Sequence, residues 1–280
     1  MNSKLTSKWL ARTMIYLFVI AGACVTAIPF LWMVSSSLKP LQEIFRFPPT
    51  FFPRVIRWQN YPEALTSSYV SFWVYLGNSI KLCLPIAVLD VFASALVAFG
   101  FARIRFRGSK ILFFILLGTM MLPQQVTMIP LYIIFSRLGW VNTYLPIIVP
   151  AFFGWPWAIF LLRQFFATIP DDLDDAARID GCSLPRMFFR IHLPLAKPAL
   201  GIVAIFSFQG MWAEVFRPLL YLRDVELWPL ALALTTYRGR MNRWDYVMVM
   251  SVIMCVFPLL LFFVAQRRYI QGIVITGVKG

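Results

Sequence analysis

The chain is 280 residues long, 60% of them hydrophobic and only 14% charged, with a mean hydropathy of +0.74. That apolar content exceeds what one soluble core buries, which excludes a soluble domain and predicts an all-α integral membrane protein. The formal charge of +14 invites a nucleic-acid reading. The basic residues, however, lie in short clusters between apolar runs rather than on one solvated face, so no nucleic-acid partner is expected.

A spanning helix needs about 20 predominantly apolar residues, and the first run that qualifies is 14–34. Lys4, Lys8 and Arg12 precede it as they would a signal peptide, and Ala21-Gly22-Ala23-Cys24 imitates a lipoprotein site. The run continues past the roughly 15 residues of a signal-peptide core, so it is read as an uncleaved first span. Residues 35–70 are polar and rich in proline and aromatic residues, an interfacial loop with short helical turns. A second span, 71–102, ends at the cluster Arg103, Arg105, Arg107 and Lys110. The third, 111–126, meets Pro123-Gln124-Gln125 and passes into a short interfacial helix ending at Gly139. The fourth, 144–166, carries Pro146, Pro150 and Pro156, which a membrane helix tolerates at the cost of kinks. A polar segment at 169–195 separates it from the fifth span, 196–220. Residues 223–245 are polar again, and 246–265 forms the sixth. There is no internal repeat or linker, so 1–280 reads as one transmembrane domain.

Six spans put both termini on one side. The N-terminus, the Arg103–Lys110 turn, the 163–197 segment and the C-terminus hold the tight basic clusters, which assigns that side to the cytoplasm by the positive-inside rule. The 169–195 segment is therefore cytoplasmic.

The chain carries no energy source of its own. It lacks the GxxxxGK[ST] loop that cradles ATP phosphates. Among intramembrane ionisable groups, which proton-coupled carriers usually need, it offers only Asp90 and Glu214. His192 is the single histidine, read as a surface or packing residue, and it leaves no set for a zinc site or histidine-dependent catalysis. Cys24, Cys83, Cys182 and Cys255 form no CxxC pair and read as small apolar residues. No enzyme activity and no bound metal are expected. Asp90, Ser94, Ala98 and Ala102 recur every four residues along the second span, a small polar stripe suited to close helix packing. Asp90 stands either as a helix-helix hydrogen-bonding residue or as part of a pathway.

The polar segment 169–195 reads as two short helices hinged at a glycine. Pro170 and Asp171 open the first, with Asp172, Asp174 and Asp175 near its N-terminus, where the helix dipole favours negative charge. Gly181 closes it, Ser183 and Pro185 start the second, and Leu193-Pro194 ends it. The order Asp175-Ala176-Ala177, Gly181, Ile191 and Leu193-Pro194 resembles the "EAA" loop of permease subunits of bacterial ABC importers, with aspartate at 175 where that family usually has glutamate. The resemblance implies the type I importer permease fold with six transmembrane helices, in which this loop is a coupling helix docked in a cleft of an ATP-hydrolysing partner. Asp174, Asp175, Ala176, Ala177, Asp180, Gly181, Ile191, Leu193 and Pro194 are its candidate coupling residues.

Two further segments are similar to carbohydrate importers of the maltose and glycerol-phosphate type. In the fifth span, Gln209-Gly210-Met211-Trp212-Ala213-Glu214, running on to Arg217-Pro218-Leu219-Leu220, resembles a sugar-permease segment. Gln209, Trp212 and Glu214 are candidate pathway residues, since an indole lies flat on the C–H face of a sugar while amide and carboxylate groups take its hydroxyls; Trp212 fits an interface belt equally well. The tail Gly277-Val278-Lys279-Gly280 resembles the C-terminus of the smaller maltose-type permease, which implies a second ATPase contact. The resemblance also implies a second permease subunit, two ATPase copies that bind ATP and magnesium, an extracytoplasmic solute-binding protein, surrounding membrane lipid and a bacterial inner-membrane location. The external segment with Tyr237, Arg238 and Arg240 would face the binding protein. A permease for amino acids, peptides or phosphate would share the coupling loop, and a stand-alone carrier or channel would need no ATPase.

Overall fold

The computed structural model describes residues 2–66, 71–239 and 242–277, and among them every regular element is helical. Helices suit this sequence because in hydrocarbon each backbone N–H and C=O must be satisfied within its own segment. The chain divides into two compact units, one from the described part of Met1–Tyr69 with Leu234–Cys255, the other from Val70–Ala233 with Val256–Gly280.

In the first unit, α1 (Asn2–Ser37) contains the first apolar run and leaves Ile15, Phe18 and Val25 exposed, as a lipid- or partner-facing helix would. The short helices α2 (Leu41–Ile44) and α3 (Asn60–Thr66) fold the following loop into an ordered lobe. Asn60 is buried there and its amide donates to the carbonyls of Ser37 and Lys39 at 2.9 and 2.8 Å. Lys39 is also buried; its ammonium donates to the Thr50 carbonyl and lies 4.4 Å above the Trp32 ring. Glu63 pairs with Arg57 at 3.0 Å and accepts from the Tyr246 hydroxyl at 3.1 Å.

The second unit is organised on α4 (Phe72–Arg103), 32 residues long and therefore about 48 Å from end to end. Its Ala95, Ala98 and Phe99 pack with Ala158, Ile159, Leu162 and Phe166 of one neighbour and Ala199, Leu200 and Val203 of another, all buried. The small residues let those helices approach closely, and the predicted stripe is part of this contact: Ser94 and Ala98 are both fully buried.

The spans after α4 are more broken than expected. In place of a continuous span over 111–126, α5 (Ser109–Thr119) is only 11 residues, about 17 Å, and the chain turns 97° into α6 (Gln124–Arg137). Pro123 disfavours the helical region for Leu122 and ends the helix before it has crossed the roughly 30 Å of hydrocarbon. The fourth span consists of α7 (Leu145–Ile148), a 3-10 turn (Val149–Phe153) and α8 (Pro156–Ala167), with each proline in the first turn of its piece, where a missing N–H is harmless. Gly154 joins the pieces at φ +78° and ψ 163°, a conformation open in practice only to glycine.

The polar segment forms α9 (Asp171–Ile179), α10 (Leu184–Met187), a π turn (Phe188–His192) and α11 (Leu193–Leu195), then bends by 80° into α12 (Lys197–Trp212). The expected fifth span thus stops at Trp212, and α13 (Phe216–Tyr221) follows a break. The expected polar loop 223–245 contains α14 (Leu230–Gly239), whose Leu230, Ala231, Leu232 and Ala233 are buried. The last helix, α15 (Trp244–Gly277), outruns the expected 246–265. Among the described residues, four helices suffice by length and composition to cross a membrane, or up to six if each sharply bent pair is one span.

Candidate functional site

The predicted coupling segment is built around an internal polar centre. Arg103, the last residue of α4, has a side chain only 4% exposed. Its guanidinium donates at the end of α8 to the Phe166 carbonyl at 2.6 Å, which also accepts from the Ile169 N–H at 3.2 Å, and to the Ile169 carbonyl. It also pairs with Asp171 at 2.5 Å and with Asp174 Oδ2 at 3.4 Å. The other oxygen of Asp174 accepts from His192 Nε2 at 2.7 Å. His192 is fully buried, with the rings of Phe99 and Phe166 edge-on at 4.9 and 5.8 Å. Burial pushes the imidazole pKa below the usual histidine value, against the opposing pull of Asp174. The expectation of a packing residue holds for His192, but its ring is also one side of an ion-dipole pair.

The remaining coupling candidates separate by face. Asp175 is exposed and pairs with Arg178 at 3.2 Å, Ala176 and Asp180 are exposed, and Ala177 is buried with Asp174 on the inner face. The outer face also presents Leu173 and, 86% exposed, Ile179. Gly181 at φ +73° ends α9 as the C′ residue of a Schellman motif: its own N–H donates to Arg178 O at 3.0 Å and that of Cys182 to Ala177 O at 2.8 Å. Ile191 and Leu193 are half-buried and Pro194 is exposed. Pro194 lacks an N–H and its ring crowds the carbonyl four residues back, which accounts for the wide π turn at Phe188–His192.

A second locus is an open cavity of about 420 Å³ among α4, α6, the fourth span and α12. Asp90, Gln124, Trp155, Ser207, Glu214 and Arg217 are its chemically informative lining residues. Ser207 Oγ donates to Asp90 Oδ2 at 2.6 Å, so Asp90 makes the helix-helix hydrogen bond and lines the cavity as well. Glu214 accepts from the N–H of Phe216 at 2.9 Å and pairs with Arg217 at 3.0 Å, which fixes the turn from α12 to α13. The cavity floor is set by Gly154: a Cβ there would meet both the backbone N and the Oγ of Ser94 at 3.2 Å, and Ser94 Oγ accepts from the Trp155 N–H at 3.0 Å.

Of the four pathway candidates the cavity brings together Asp90 and Glu214 only. Gln209 is exposed away from it, and Trp212 is 3% exposed, stacked on Phe208 at 5.5 Å and tilted against Phe257 at 4.9 Å. Gly277 is the last residue of α15; Val278, Lys279 and Gly280 lie outside the described residues. In the external segment Tyr237 is buried, and Arg240 lies outside the described residues. Arg103, Ser207 and Gln124 were not singled out from sequence. Arg103 reads there as one member of a topogenic cluster, and a serine within an apolar run carries no mark of its partner.

The family model for the binding-protein-dependent transport system inner membrane component matches residues 90–274. The arabinooligosaccharides transport system permease protein AraQ of Halalkalibacterium halodurans is 33% identical over 92% of this chain and 93% of its own length. AraQ of Bacillus subtilis is 32% identical over 96% of each. The diacetylchitobiose uptake system permease protein NgcG of Streptomyces coelicolor is 29% identical, covering 92% of this chain and 86% of NgcG. Among solved structures, a bacterial ABC transporter involved in the import of the acidic polysaccharide alginate has the same fold, with a TM-score of 0.78 at 22% identity over 94% of this chain and 97% of that one. Members of the family are multi-pass membrane subunits of importers that leave ATP hydrolysis to a separate ATPase and work with a second permease. This chain is a member of the family of binding-protein-dependent transport system inner membrane components, a permease subunit and not an enzyme.

Proposed function

We propose that the chain is one of two permease subunits of an importer for a sugar or oligosaccharide, driven by two copies of an ATPase and supplied by an extracytoplasmic solute-binding protein. In this reading α9 to α11 form the coupling element, and both termini lie in the cytoplasm with it. The observation that carries the reading is the two-faced construction of α9: an inner face held by Arg103 and His192, and an outer face of Leu173, Asp175, Ala176 and Ile179 with no covering among the described residues. A mixed apolar and acidic knob on a rigid mount is what a cleft in a partner subunit requires. The sugar class is supported by relatives named for arabinooligosaccharides and diacetylchitobiose, which cover nearly the full chain. Asp90 and Glu214 then border the solute path, Trp212 braces α12 against α15, and Gly277 to Gly280 make a second contact with the ATPase.

The test is affinity purification of the tagged chain from native membranes in mild detergent. Co-purification of a P-loop ATPase and a second multi-span protein, followed by uptake of labelled oligosaccharides that depends on both, is the expected result. A chain that purifies alone and moves solute without ATP contradicts the reading.

A further inference from the structure

Four aspartates crowd the start of α9, and the structure separates one from the rest. The side chains of Asp171 and Asp175 are 81% and 66% exposed, and Asp172 is exposed too; that of Asp174 is 6% exposed. Asp174 is therefore not free to meet a docking partner, and both of its oxygens are spent inside the chain. Oδ2 faces the guanidinium at the end of α4, and Oδ1 takes the N–H of a fully buried imidazole one turn before α12 begins. The same two helices, α4 and α12, meet again at the cavity through Asp90 and Ser207. Asp90 and Arg103 lie about 20 Å apart along a single unbroken helix, so a force applied at one end is felt at the other.

We infer that Asp174 is a positioning residue for transport: clamped between Arg103 and His192, it fastens the coupling helix to the end of α4 and to the π turn that leads into α12, so that displacement of α9 is passed to both helices of the Asp90–Ser207 contact. The inference rests on the reading of α9 as the ATPase-docking element and adds the part of that element which passes the movement inward. The clamp is suited to this task by its burial. A carboxylate 6% exposed, shared between a guanidinium 4% exposed and an imidazole walled by Phe99 and Phe166, is screened by water far less than a surface ion pair. With Asp174 neutral, α9 remains a helix closed at Gly181 with its outer face unchanged. Docking survives, and the mount no longer transmits.

The test needs no knowledge of the solute. Gly210 lines the cavity, and a Cβ added there would meet nothing within 4 Å. Gly210→Cys, in a chain whose four native cysteines are replaced by alanine, therefore reports access to the cavity by its rate of reaction with a water-soluble maleimide. In the complete complex purified from native membranes and reconstituted in nanodiscs, a non-hydrolysable ATP analogue is expected to change that rate by about fivefold or more, the low end of measured coupling between sites. Asp174→Asn is expected to keep the ATPase bound and hydrolysing ATP while the labelling rate becomes insensitive to nucleotide. Asp174→Glu, which retains the charge, is expected to restore much of the response. A nucleotide response in Asp174→Asn equal to that of the parent overturns the inference, and so does loss of the ATPase from that variant, because Asp174 would then serve docking. A parent complex with no ATPase, or with no nucleotide response, contradicts the coupling-loop reading itself and is thereby told apart.

Discussion

The hydroxyl of Ser207 on α12 lies 2.6 Å from Oδ2 of Asp90 on α4, and both side chains line the same cavity. A group that is at once a helix-packing contact and a cavity wall separates its two roles by mutation. Asp90→Asn keeps an acceptor for Ser207 and removes the charge, so assembly is expected to be intact and uptake changed. Ser207→Ala removes the donor and is expected to cost about 1 kcal/mol of stability with uptake largely retained. Thermal unfolding of the purified complex, set beside cellular uptake, checks both; loss of assembly in Asp90→Asn would make its role purely one of packing.

Arg103→Ala leaves Asp174 buried beside a neutral imidazole and takes the guanidinium from the carbonyls of Phe166 and Ile169, the first of which keeps the Ile169 N–H. Removing one partner of a buried ion pair costs about 3–5 kcal/mol, so this variant is expected to accumulate poorly or to melt at clearly lower temperature. Arg105→Ala, at an exposed position just beyond the end of α4, is the comparison and is expected to behave as the parent. Equal melting of the two variants would show that the Arg103 contacts do not hold the segment.

Gly154 sits in a glycine-only region of backbone space, with Ser94 where a side chain would go. Gly154→Ala is expected to lose about 1–3 kcal/mol from backbone strain alone, and more if Ser94 cannot yield. Gly181→Ala differs in kind: its φ of +73° is also left-handed, but its Cβ would meet nothing within 4 Å, so a loss of about 1 kcal/mol is expected. The order of the two melting temperatures is the check.

The His192 pKa is lowered in the fold, first by burial, so the native structure holds the neutral ring. The sign follows from linkage: the unfolded chain takes up a proton near the ordinary histidine value of 6.5, the folded one only at lower pH, so the contribution of His192 is complete above 6.5 and is lost as pH falls through the folded value. Amide exchange of residues 171–181, corrected for its intrinsic pH dependence, is expected to quicken as pH drops below that range. His192→Gln, which has no titrating ring, is expected to flatten the profile.

The sequence makes the long helices legible because their apolar runs are long, and the two-helix form of the polar segment 169–195 because Gly181, Pro185 and Leu193-Pro194 carry turn and capping chemistry. The breaks were legible only in part. Pro123 and the three prolines of the fourth span signal disruption, but whether a helix kinks or turns by 97° depends on packing that no local pattern encodes. Long-range pairings were not legible. Arg103 belongs to a basic cluster by sequence and to Asp174 by geometry, 71 positions away. Trp212 has the chemistry of a sugar platform, yet Phe208 one turn before it and Phe257 on α15 hold its ring in packing contacts.

In the proposed importer the outer face of α9 docks on an ATPase. A photo-crosslinking amino acid at Ile179, which is 86% exposed, tests it directly, with the same group at the buried Leu162 as the control. On irradiation of native membranes, Ile179 is expected to give one crosslinked band containing a P-loop ATPase, weakened when ATPase docking is disrupted, and Leu162 none. A chain that still imports solute while Ile179 crosslinks only to lipid, or to a protein without a P-loop, would contradict the account.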